Sequence, residues 1–410
     1  MKQLGCRFCG AQLEHVLVDL GMSPLANSFR REDELLDMEP TWPLRVYVCQ
    51  RCFLVQLPEF ASPEHIFSDY AYFSGYSDTW LRHVEAYAGQ MCERLELDEA
   101  SLVIEVASND GCLLRFFQKR GVPVLGIEPA SNVAAAAVAD GVPTRVEFFG
   151  SACASGLAEE GRTADLLLGN NVLAHVPDLN DFVAGLGIVL GPQGVLTLEF
   201  PHLARLIEEN QFDTIYHEHF SYLSLGTVKQ VLEAQGLRVF DVQELPTHGG
   251  SLRVFACHSA SGHPAAESVA ALEAAEAAAG LDSLDGYRGF GERVAETKRK
   301  LLAELVAIRD RGETIVAYGA AAKGNTLLNY CGIGVDFIDY AVDRNPEKQG
   351  RFLPGSVIPV RSPEAVLETR PDWLFILPWN LVDEITEQMA VIREWGGRFL
   401  TAIPEPRVHL

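Results

Sequence analysis

The segment Leu102-Val-Ile-Glu-Val-Ala-Ser-Asn-Asp-Gly111 decides the fold, because it passes from an apolar strand through a turn into a helix that begins near Cys112. Further apolar strands are predicted at residues 124–127, 165–168 and 194–198, with helical stretches between them. Strands that alternate with helices indicate a parallel sheet covered by helices. Ligands of such sheets bind at the carboxyl ends of the strands, so this turn is a candidate binding site.

Three successive strand ends carry polar side chains that a cofactor would need. Glu105 ends the first strand, Glu128 ends the second, and Asn170 and Asn171 follow the third. A carboxylate in the position of Glu128 can accept both ribose hydroxyls of an adenosine. The predicted cofactor contacts are Glu105, Ala107, Asn109, Gly111, Glu128, Pro129, Asn170 and Asn171.

The chemistry of the first turn favours one cofactor over another. The turn lacks the Gly-x-Gly-x-x-Gly pattern that lets a pyrophosphate approach the backbone. Glu105 would repel a diphosphate, whereas it suits the amino group of a cationic ligand. We therefore expect S-adenosylmethionine, which has no phosphate, rather than a dinucleotide.

Two Cys-x-x-Cys pairs near the N-terminus predict a zinc site. Cys6 and Cys9 form one pair, and Cys49 and Cys52 form the other. Each pair places two thiolates on one tight turn, and two such turns complete a tetrahedron around Zn²⁺. Four protein ligands leave no open position for a substrate, so we expect the zinc to be structural.

Composition and charge exclude some classes of function. The formal net charge of −23 argues against a nucleic-acid partner, whose phosphates need a basic surface. No run approaches the ~20 consecutive apolar residues of a membrane-spanning helix, and the first residues lack the apolar region of a signal peptide. We expect a cytoplasmic protein with no membrane partner. The sequence does not determine the oligomeric state, for which a monomer is the default expectation.

The segment Tyr216-His-Glu-His-Phe-Ser-Tyr222 concentrates groups that can move a proton. In an extended segment Tyr216 and Glu218 would share one face, with His217 and His219 on the other. In a helical segment Tyr216 and His219 would meet. Either arrangement offers a base, a group that orients the base and a phenolic donor.

A second block of alternating strands and helices begins at Thr314, after a stretch with helical apolar spacing from residue 265 to 309. The predicted strands of this block are 314–318, 337–342 and 373–377. The chain therefore contains two α/β regions, each with its own sheet.

A competing hypothesis is an NAD-dependent nucleotide-sugar oxidoreductase. Gly319-x-Ala321-x-x-Gly324 follows a predicted strand, and Asp343 comes about twenty residues later, as in a dinucleotide-binding turn. This hypothesis leaves the Glu105 and Tyr216 segments without a role, so we place it second. A non-catalytic binding protein built on a zinc module is the third hypothesis.

Several sequence strings, together with the cysteine pairs, extend over nearly the whole chain. The strings are Pro24-Leu-Ala-Asn-Ser-Phe29, Glu105-x-Ala-Ser-Asn-Asp-Gly111, Asn171-Val-Leu-Ala-His-Val-Pro-Asp178, Tyr216-His-Glu-His-Phe-Ser-Tyr222, His248-Gly-Gly-Ser-Leu-Arg253 and Gly319-Ala-Ala-Ala-Lys-Gly324. The set resembles the sugar C-methyltransferases of deoxysugar biosynthesis, which make 3-C-methyl sugars such as tetronitrose and mycarose. The strings at Tyr216 and His248 are the most specific part of the resemblance.

The resemblance implies an α/β fold with two Rossmann-like domains. Its parts are a zinc-binding N-terminal domain (1–75), a central S-adenosylmethionine-dependent methyltransferase domain that includes the Tyr-His-Glu-His segment (76–260), a helical connector (261–308) and a C-terminal α/β domain that helps to bind the nucleotide-sugar (309–410).

The resemblance further implies methylation of a dTDP-linked 4-keto-deoxysugar, with Tyr216, Glu218, His219 and His175 around the reacting carbon. C-3′ becomes nucleophilic when a base removes its proton beside the C-4′ ketone. His219 is the expected base because imidazole titrates near neutral pH. We expect Glu218 to orient His219 and Tyr216 to donate to the sugar oxygen, while His175 is the second candidate base.

The predicted substrate contacts come from several parts of the chain. Lys323, at the start of a predicted helix, is a candidate contact for a diphosphate, and Arg253 is another candidate for binding an anion. Methylation at C-5′ of a 4-keto-6-deoxysugar is the nearest alternative reaction, because C-5′ also adjoins the ketone. The full set of substrate contacts is Tyr70, Tyr72, Tyr76, Asn171, Tyr222, Arg253, Lys323 and Asn325.

Overall fold

The computed structural model describes residues 4–60, 74–76 and 78–409. The chain forms two compact units, each assembled from separate stretches. The first unit comprises Met1–Glu14, Cys49–His202 and Phe220–Gly286, and the second comprises His15–Val48, Leu203–His219 and Tyr287–Leu410. The boundaries at residues 75, 260 and 308, which divide the chain into consecutive domains, stay a prediction.

Strands form at every position that the apolar runs predict, most of them within a residue or two at each end, and further strands that were not predicted complete the sheets. In chain order they are β1 (His15–Ser23), β2 (Trp42–Val48), β3 (Val55–Gln56), β4 (Val103–Val106), β5 (Val124–Ile127), β6 (Thr144–Arg145), β7 (Ala164–Asn170), β8 (Leu190–Pro201), β9 (Ser221–Tyr222), β10 (Leu237–Leu245), β11 (Ser251–His258), β12 (Ile315–Tyr318), β13 (Ala341–Val342), β14 (Val360–Arg361), β15 (Trp373–Ile376), β16 (Arg398–Thr401) and β17 (Arg407–His409).

Helices alternate with these strands in both units. In chain order they are α1 (Asp78–Leu95), α2 (Cys112–Gln118), α3 (Ser131–Ala139), α4 (Ser151–Glu159), α5 (Leu179–Val189), α6 (Leu203–Glu208), α7 (Leu225–Glu233), α8 (Glu267–Ala278), α9 (Phe290–Asp310), α10 (Ala322–Cys331), α11 (Ala365–Thr369) and α12 (Val382–Gln388). Among the described residues, no helix has both the length and the apolar character that crossing a membrane requires.

The first unit contains a seven-stranded sheet in the order β10-β11-β8-β7-β4-β5-β6. The five strands from β8 to β6 run parallel, whereas β11 is antiparallel to both of its neighbours. The order of the parallel strands reverses between β4 and β7, so the binding crevice of this sheet is expected at the carboxyl ends of these two strands. The predicted α/β fold is confirmed.

The core of the first unit fixes the strand that leads into the candidate binding turn. Every residue of β4 is buried, as in a parallel strand covered on both faces. Val84 and Tyr87 of α1 pack with Leu113 and Phe117 of α2 in the same core. Burial of each such side chain contributes about 2 kcal/mol of hydrophobic free energy. The turn after β4 therefore starts from a rigid position.

The second unit contains a sheet in the order β14-β13-β12-β15-β16-β17. Its first five strands are parallel and β17 is antiparallel to β16. The strand order again reverses, here between β12 and β15. Val316 of β12, Leu374 of β15 and Phe399 of β16 lie in one buried cluster. The antiparallel pair of β1 and β2 belongs to the same unit.

Local turns explain how two predicted segments fold. The predicted strand at 337–342 is reduced to β13, because the amides of Phe337 and Ile338 both donate to Gly334 O in a turn. The stretch at 265–309, for which the sequence predicts one or two long helices, forms the two helices α8 and α9. Gly280 and Gly289 between them adopt φ angles of +78° and +77°. Left-handed glycines end helices without steric cost.

Candidate active site

The four cysteines of the first unit form a group of the size that one zinc ion needs. The sulfur atoms of Cys6, Cys9, Cys49 and Cys52 all lie within 4.8 Å of one another. Sγ–Sγ distances are 3.6 Å for Cys6 and Cys52 and 3.5 Å for Cys9 and Cys49. A tetrahedron with Zn–S bonds of about 2.3 Å has S–S edges of about 3.8 Å. The donor set therefore fits a zinc ion held by four thiolates.

Three residues of the turn between β4 and α2 adopt the left-handed backbone conformation. The φ angle is +56° at Ala107, +50° at Asn109 and +70° at Gly111. A Cβ at Gly111 would stand 3.0 Å from the Val142 side chain, so this position requires glycine. Left-handed non-glycine residues cost of order 1 kcal/mol or more and occur preferentially where ligands bind. The strain supports a binding role for this turn.

Glu128, after β5, is oriented by two main-chain amides. Its Oε2 accepts a hydrogen bond of 2.8 Å from Asn109 N, and its Oε1 accepts one of 2.9 Å from Ala130 N. Burial raises the pKa of the carboxyl. Each carboxylate oxygen has a second lone pair that can accept a hydroxyl. This geometry suits the ribose contact predicted for Glu128.

Glu105, in β4, is a buried acid whose charge is not balanced. Its side chain is 6% exposed, and its Oε2 has no hydrogen-bond partner among the described residues. Burial, followed by the negative charges of Asp110 and Glu128, raises the pKa of Glu105 well above its usual range. Burying such a group without a partner is unfavourable. A cationic amino group from a ligand would supply the missing partner.

The amide side chains at the end of β7 also have polar atoms without hydrogen-bond partners in the described structure. Within the described part of the chain, both polar atoms of the Asn170 amide and Oδ1 of Asn171 are buried without a hydrogen-bond partner. The main chain of Asn171 is held by a 2.7 Å hydrogen bond to Glu199 O, at a φ angle of +55°. Native proteins leave few buried polar groups unpaired. These amides therefore indicate a ligand at the carboxyl ends of β4 and β7, and the residues fit S-adenosylmethionine.

The histidine-rich segment forms a tight turn in the second unit. His219 N donates to Tyr216 O at 2.9 Å, and the two ring centroids lie 4.0 Å apart with an interplanar angle of 34°. This contact is the one that the helical alternative predicted, although the segment makes only a single turn. The turn therefore places a phenol against an imidazole.

A main-chain carbonyl orients the His219 ring. His219 Nδ1 lies 2.9 Å from Thr214 O. Because a carbonyl oxygen only accepts, Nδ1 must carry the hydrogen, and Nε2 carries the lone pair of the neutral ring. The Thr214 carbonyl therefore sets the tautomer of His219, and the expected role of Glu218 in orienting this ring stays a prediction.

Glu218 is buried in the same turn and titrates in an unusual range. Its Oε1 accepts a 2.7 Å hydrogen bond from Asn27 Nδ2, which lies 191 residues earlier in the chain. Burial raises the pKa of Glu218 to about 7, against the opposing effects of the Asn27 hydrogen bond and the Lys348 charge. A carboxyl with this pKa can gain or lose a proton at neutral pH.

The other two histidines of interest have different surroundings. His217 is buried, its Nε2 lies 3.3 Å from Pro43 O, and burial lowers its pKa. His175 belongs to the first unit, where it ends a short 3-10 turn after β7 and its N–H donates to Val172 O at 2.8 Å.

The chain is similar to known proteins over almost its full length. Family models match a zinc binding domain at residues 6–67, a methyltransferase domain at 80–242 and a C-methyltransferase C-terminal domain at 246–404. C-methyltransferase NovU of Streptomyces niveus is 38% identical over 406 residues, which is 98% of this chain and 96% of that protein. The chain belongs to the C-methyltransferase family. It is an S-adenosylmethionine-dependent methyltransferase with a zinc-binding four-cysteine site.

Solved structures show only partial likeness to this methyltransferase. Magnesium protoporphyrin IX methyltransferase from Synechocystis PCC 6803 with bound SAM is 15% identical, covers 44% of this chain and 79% of its own, and has a TM-score of 0.34. A protein from Pyrococcus horikoshii OT3 is 14% identical, covers 48% and 99%, and has a TM-score of 0.38. The family assignment therefore rests on the sequence relative and the family models.

Lys323 of the methyltransferase lies in a polar cluster that the sequence did not predict. Its Nζ donates to Asn380 Oδ1 at 2.7 Å and stands 4.8 Å from the centroid of the Trp379 ring. Trp379 Nε1 donates to Asp213 Oδ2 at 2.8 Å. Burial lowers the pKa of Lys323, and burial raises the pKa of Asp213 to about 6 against the pull of the Lys323 charge.

The remaining predicted substrate contacts have varied positions. Tyr70 and Tyr72 lie outside the described residues, and Tyr76 ends a 3-10 turn. Tyr222 is buried in β9, opposite Val55 of β3. Asn325 is buried and donates to Ala26 O at 2.7 Å, which ties α10 to the segment before Asn27.

Glu199 is a central residue that sequence reasoning missed. It is fully buried in β8, where its Oε2 accepts from Arg253 Nη2 at 2.8 Å and both of its oxygens lie 3.0 Å from His83 Nε2. Burial alone would raise its pKa, but His83 and Arg253 outweigh burial and hold the pKa below its usual value. The charge of Arg253 is thus already paired inside the protein, which argues against the predicted anion contact.

The sequence contains a local signal for this ion pair, but that signal does not predict which charged residues pair with each other. Glu199 and Arg253 are each a single charged residue within an apolar strand. They face each other only because β8 and β11 pair in the register that places Glu199 opposite Arg253. That pairing is a property of the sheet, since the residues are 54 positions apart.

Proposed function

We propose that this C-methyltransferase transfers a methyl group from S-adenosylmethionine to C-3′ of a dTDP-linked 4-keto-deoxysugar. The observation that carries the proposal is His219, whose Nδ1 is held by Thr214 O while its ring lies against Tyr216. An imidazole of fixed tautomer can take a proton from carbon when an adjacent carbonyl stabilises the anion. A 4-keto sugar provides that carbonyl, and the resemblance to deoxysugar methyltransferases supports this substrate class.

The residues divide the chemistry among them. His219 Nε2 takes the proton from C-3′, so that the electron pair moves toward the C-4′ oxygen. The Tyr216 hydroxyl donates to that oxygen and stabilises its charge. When bound, S-adenosylmethionine would supply its sulfonium methyl group as the electrophile for C-3′, and its sulfur would leave as the neutral thioether of S-adenosylhomocysteine. Glu105 would hold the amino group of the methyl donor and Glu128 its ribose. Both carboxyls are buried, and two main-chain amides orient Glu128.

Other side chains complete the proposal. Lys323 is the proposed contact for the diphosphate, since it is a cation at the start of α10. Glu218, with a pKa of about 7, is a second group able to exchange a proton, and His175 is the alternative base. Arg253 is left out because Glu199 already balances its charge.

The substrate class is tested with a panel of dTDP-4-keto sugars. We expect a mass gain of one methyl group, and product NMR that places this group on C-3′. A methyl group on C-5′ would support the nearest alternative instead. If no sugar of the panel is methylated on carbon, the proposed substrate class is wrong.

The base is tested by hydrogen exchange at carbon in D₂O without the methyl donor. The enzyme should introduce deuterium at C-3′, and His219→Gln should reduce this rate by about 100-fold or more, which is the usual contribution of a general base. His217→Gln is the matched control, because that ring faces Pro43 O and its loss should leave exchange nearly unchanged. Normal exchange in His219→Gln would exclude His219, and a loss in Glu218→Gln alone would assign the base to Glu218.

A further inference from the structure

Arg7 stands between two zinc ligands, Cys6 and Cys9, yet its side chain extends away from them into the first unit. Its Nη1 donates to Pro177 O at 2.7 Å and its Nη2 donates to Leu57 O at 2.5 Å. The zinc-binding turn is thereby connected to the loop that follows β7. A planar guanidinium can bind two carbonyl oxygens at once in fixed directions, which an ammonium group cannot do.

The same loop has a second connection to the zinc-binding turn. Asn180 Nδ2 donates to Phe8 O at 3.0 Å and lies 3.3 Å from Arg7 O. Asn180 is in the first turn of α5, three residues after Pro177. Both ends of the segment 177–180 are therefore held by the two residues between Cys6 and Cys9.

A third connection passes through the ring beneath Arg7. The guanidinium of Arg7 stands 5.3 Å from the centroid of the Phe220 ring. Phe220 N donates to Ala174 O at 2.8 Å, and Leu57 N donates to Phe220 O at 3.0 Å. Ala174 directly precedes His175, so this arrangement fixes the main chain at the candidate base.

The metal site and Arg7 are joined by one further side chain. Gln56 Nε2 donates to Cys6 Sγ at 3.1 Å, and Gln56 Oε1 accepts from Arg7 N at 2.9 Å. Gln56 is buried. A single amide therefore bonds both a zinc ligand and the backbone of Arg7.

We infer that Arg7 is a positioning residue, which uses the zinc-binding turn as an anchor to hold residues 172–178 and thereby places His175 for methyl transfer. The inference rests on the proposed role of His175. Without the guanidinium, the carbonyls of Pro177 and Leu57 lose a charge-assisted hydrogen bond. Displacement of a catalytic group by about 1 Å can cost about 100-fold in rate.

The first measurement is amide hydrogen exchange, read by mass spectrometry on a peptide that covers residues 172–178. Arg7→Met keeps an unbranched apolar side chain but removes the guanidinium, and we expect faster exchange in this peptide while one zinc per chain is retained. Arg51→Met is the matched control, because Arg51 lies between the other two cysteines and is exposed. Exchange and zinc content should be unchanged in that control. Unchanged exchange in Arg7→Met would overturn the inference.

The second measurement is kinetic and separates positioning from general stability. We expect Arg7→Met to lower kcat by about 10-fold or more, with Kd for S-adenosylmethionine within about twofold of the unchanged enzyme. Arg7→Lys can bind only one of the two carbonyl groups, so its kcat should lie between the values for Arg7→Met and the unchanged enzyme. Faster exchange with an unchanged kcat would also overturn the inference, because the loop would then be free to move without consequence.

A second variant keeps the inference testable if Arg7→Met loses its zinc or its fold. Asn180→Ala leaves the zinc-binding turn intact and removes only the connection to its carbonyl groups. Asn180→Ala should speed amide exchange in residues 172–178 and lower kcat, both by less than Arg7→Met does. If neither exchange nor kcat changes, the inference is overturned. Failure of the proposed substrate is distinguishable, because the exchange measurement needs no substrate.

Discussion

The two α/β sheets of this methyltransferase share the order of their five parallel strands but differ in the chemistry at the carboxyl ends of these strands. In the first unit, Glu105 and Asn170 are buried and retain polar atoms without hydrogen-bond partners in the described structure. In the second unit, Asp343 Oδ2 accepts from Ala320 N at 2.7 Å and lies 3.7 Å from Lys348 Nζ. Asp343 corresponds to Glu128, which also accepts main-chain hydrogen bonds. The difference between the sheets therefore lies in the first strand, where Glu105 of β4 corresponds to the apolar Ala317 of β12.

This difference teaches that a doubly wound sheet does not by itself identify a cofactor. Gly319-x-Ala321-x-x-Gly324 lies between β12 and α10, as a dinucleotide turn would. Asp343, the acid expected to contact a ribose there, accepts a hydrogen bond from the turn as Glu128 does. The strand β12 before that turn consists of Ile315, Val316, Ala317 and Tyr318, so it places no carboxylate where β4 has Glu105. The state of the polar groups, rather than the fold, separates the two sites.

The largest effect is expected from removal of the unbalanced charge in the first sheet. Glu105→Gln should weaken S-adenosylmethionine binding by about 30-fold, since a hydrogen bond to a charged group contributes about 2 kcal/mol. Asp343→Asn, the matched change in the second sheet, should leave this affinity within about twofold. Isothermal titration calorimetry measures both. Equal losses in the two variants would remove the distinction between the sheets.

A smaller effect is expected from the cation of the second unit. Lys323→Met should raise KM for the nucleotide-sugar by about 10-fold through loss of a charge-assisted contact, with unchanged affinity for S-adenosylmethionine. Asp213→Asn should not raise KM, because it removes a negative charge near Lys323. Steady-state kinetics with both substrates provides the measurement. If both variants leave KM unchanged and lower only the melting temperature, Lys323 has a structural role.

The smallest effect is expected in the pH dependence of stability. Glu105 has a raised pKa in the folded protein without cofactor, whereas the usual value in an unfolded chain is about 4.3. Between these two pKa values the folded state binds more protons than the unfolded state, so stability must fall as pH rises. Glu105→Gln lacks this proton, and its melting temperature should fall less between pH 5 and pH 8. If the melting temperatures of Glu105→Gln and the unchanged enzyme fall equally between pH 5 and pH 8, burial does not raise the pKa of Glu105 as described.

Local patterns predicted several features of the site because those features depend on neighbours in the sequence. The paired cysteines need only a tight turn to present two thiolates, and the apolar run before Glu105 needs only a sheet to be buried. The meeting of Tyr216 and His219 was one of two alternatives, since both follow from positions within a few residues. Such patterns do not depend on distant parts of the chain.

Other features could not be predicted because their partners are distant in sequence. Burial raises the pKa of Glu218 to about 7 although Asn27, 191 residues away, donates a hydrogen bond that opposes the shift. The tautomer of His219 depends on a turn that places Thr214 O beside Nδ1. Arg253 was predicted to bind an anion, but the strand register pairs it with Glu199. Charge and polarity are visible in a sequence, whereas their neutralisation is not.

The sequence by itself determined the order of strands and helices, the cysteine tetrad and the strand ends that carry Glu105, Glu128 and Asn170. These depend on hydrophobic periodicity and short spacings, which are local quantities. Only the tertiary structure decided which polar groups are satisfied, which are left for a ligand and which arginine connects the zinc-binding turn to the loop of His175. Burial and hydrogen bonding are set by atoms brought together from separate segments, and no local pattern contains them.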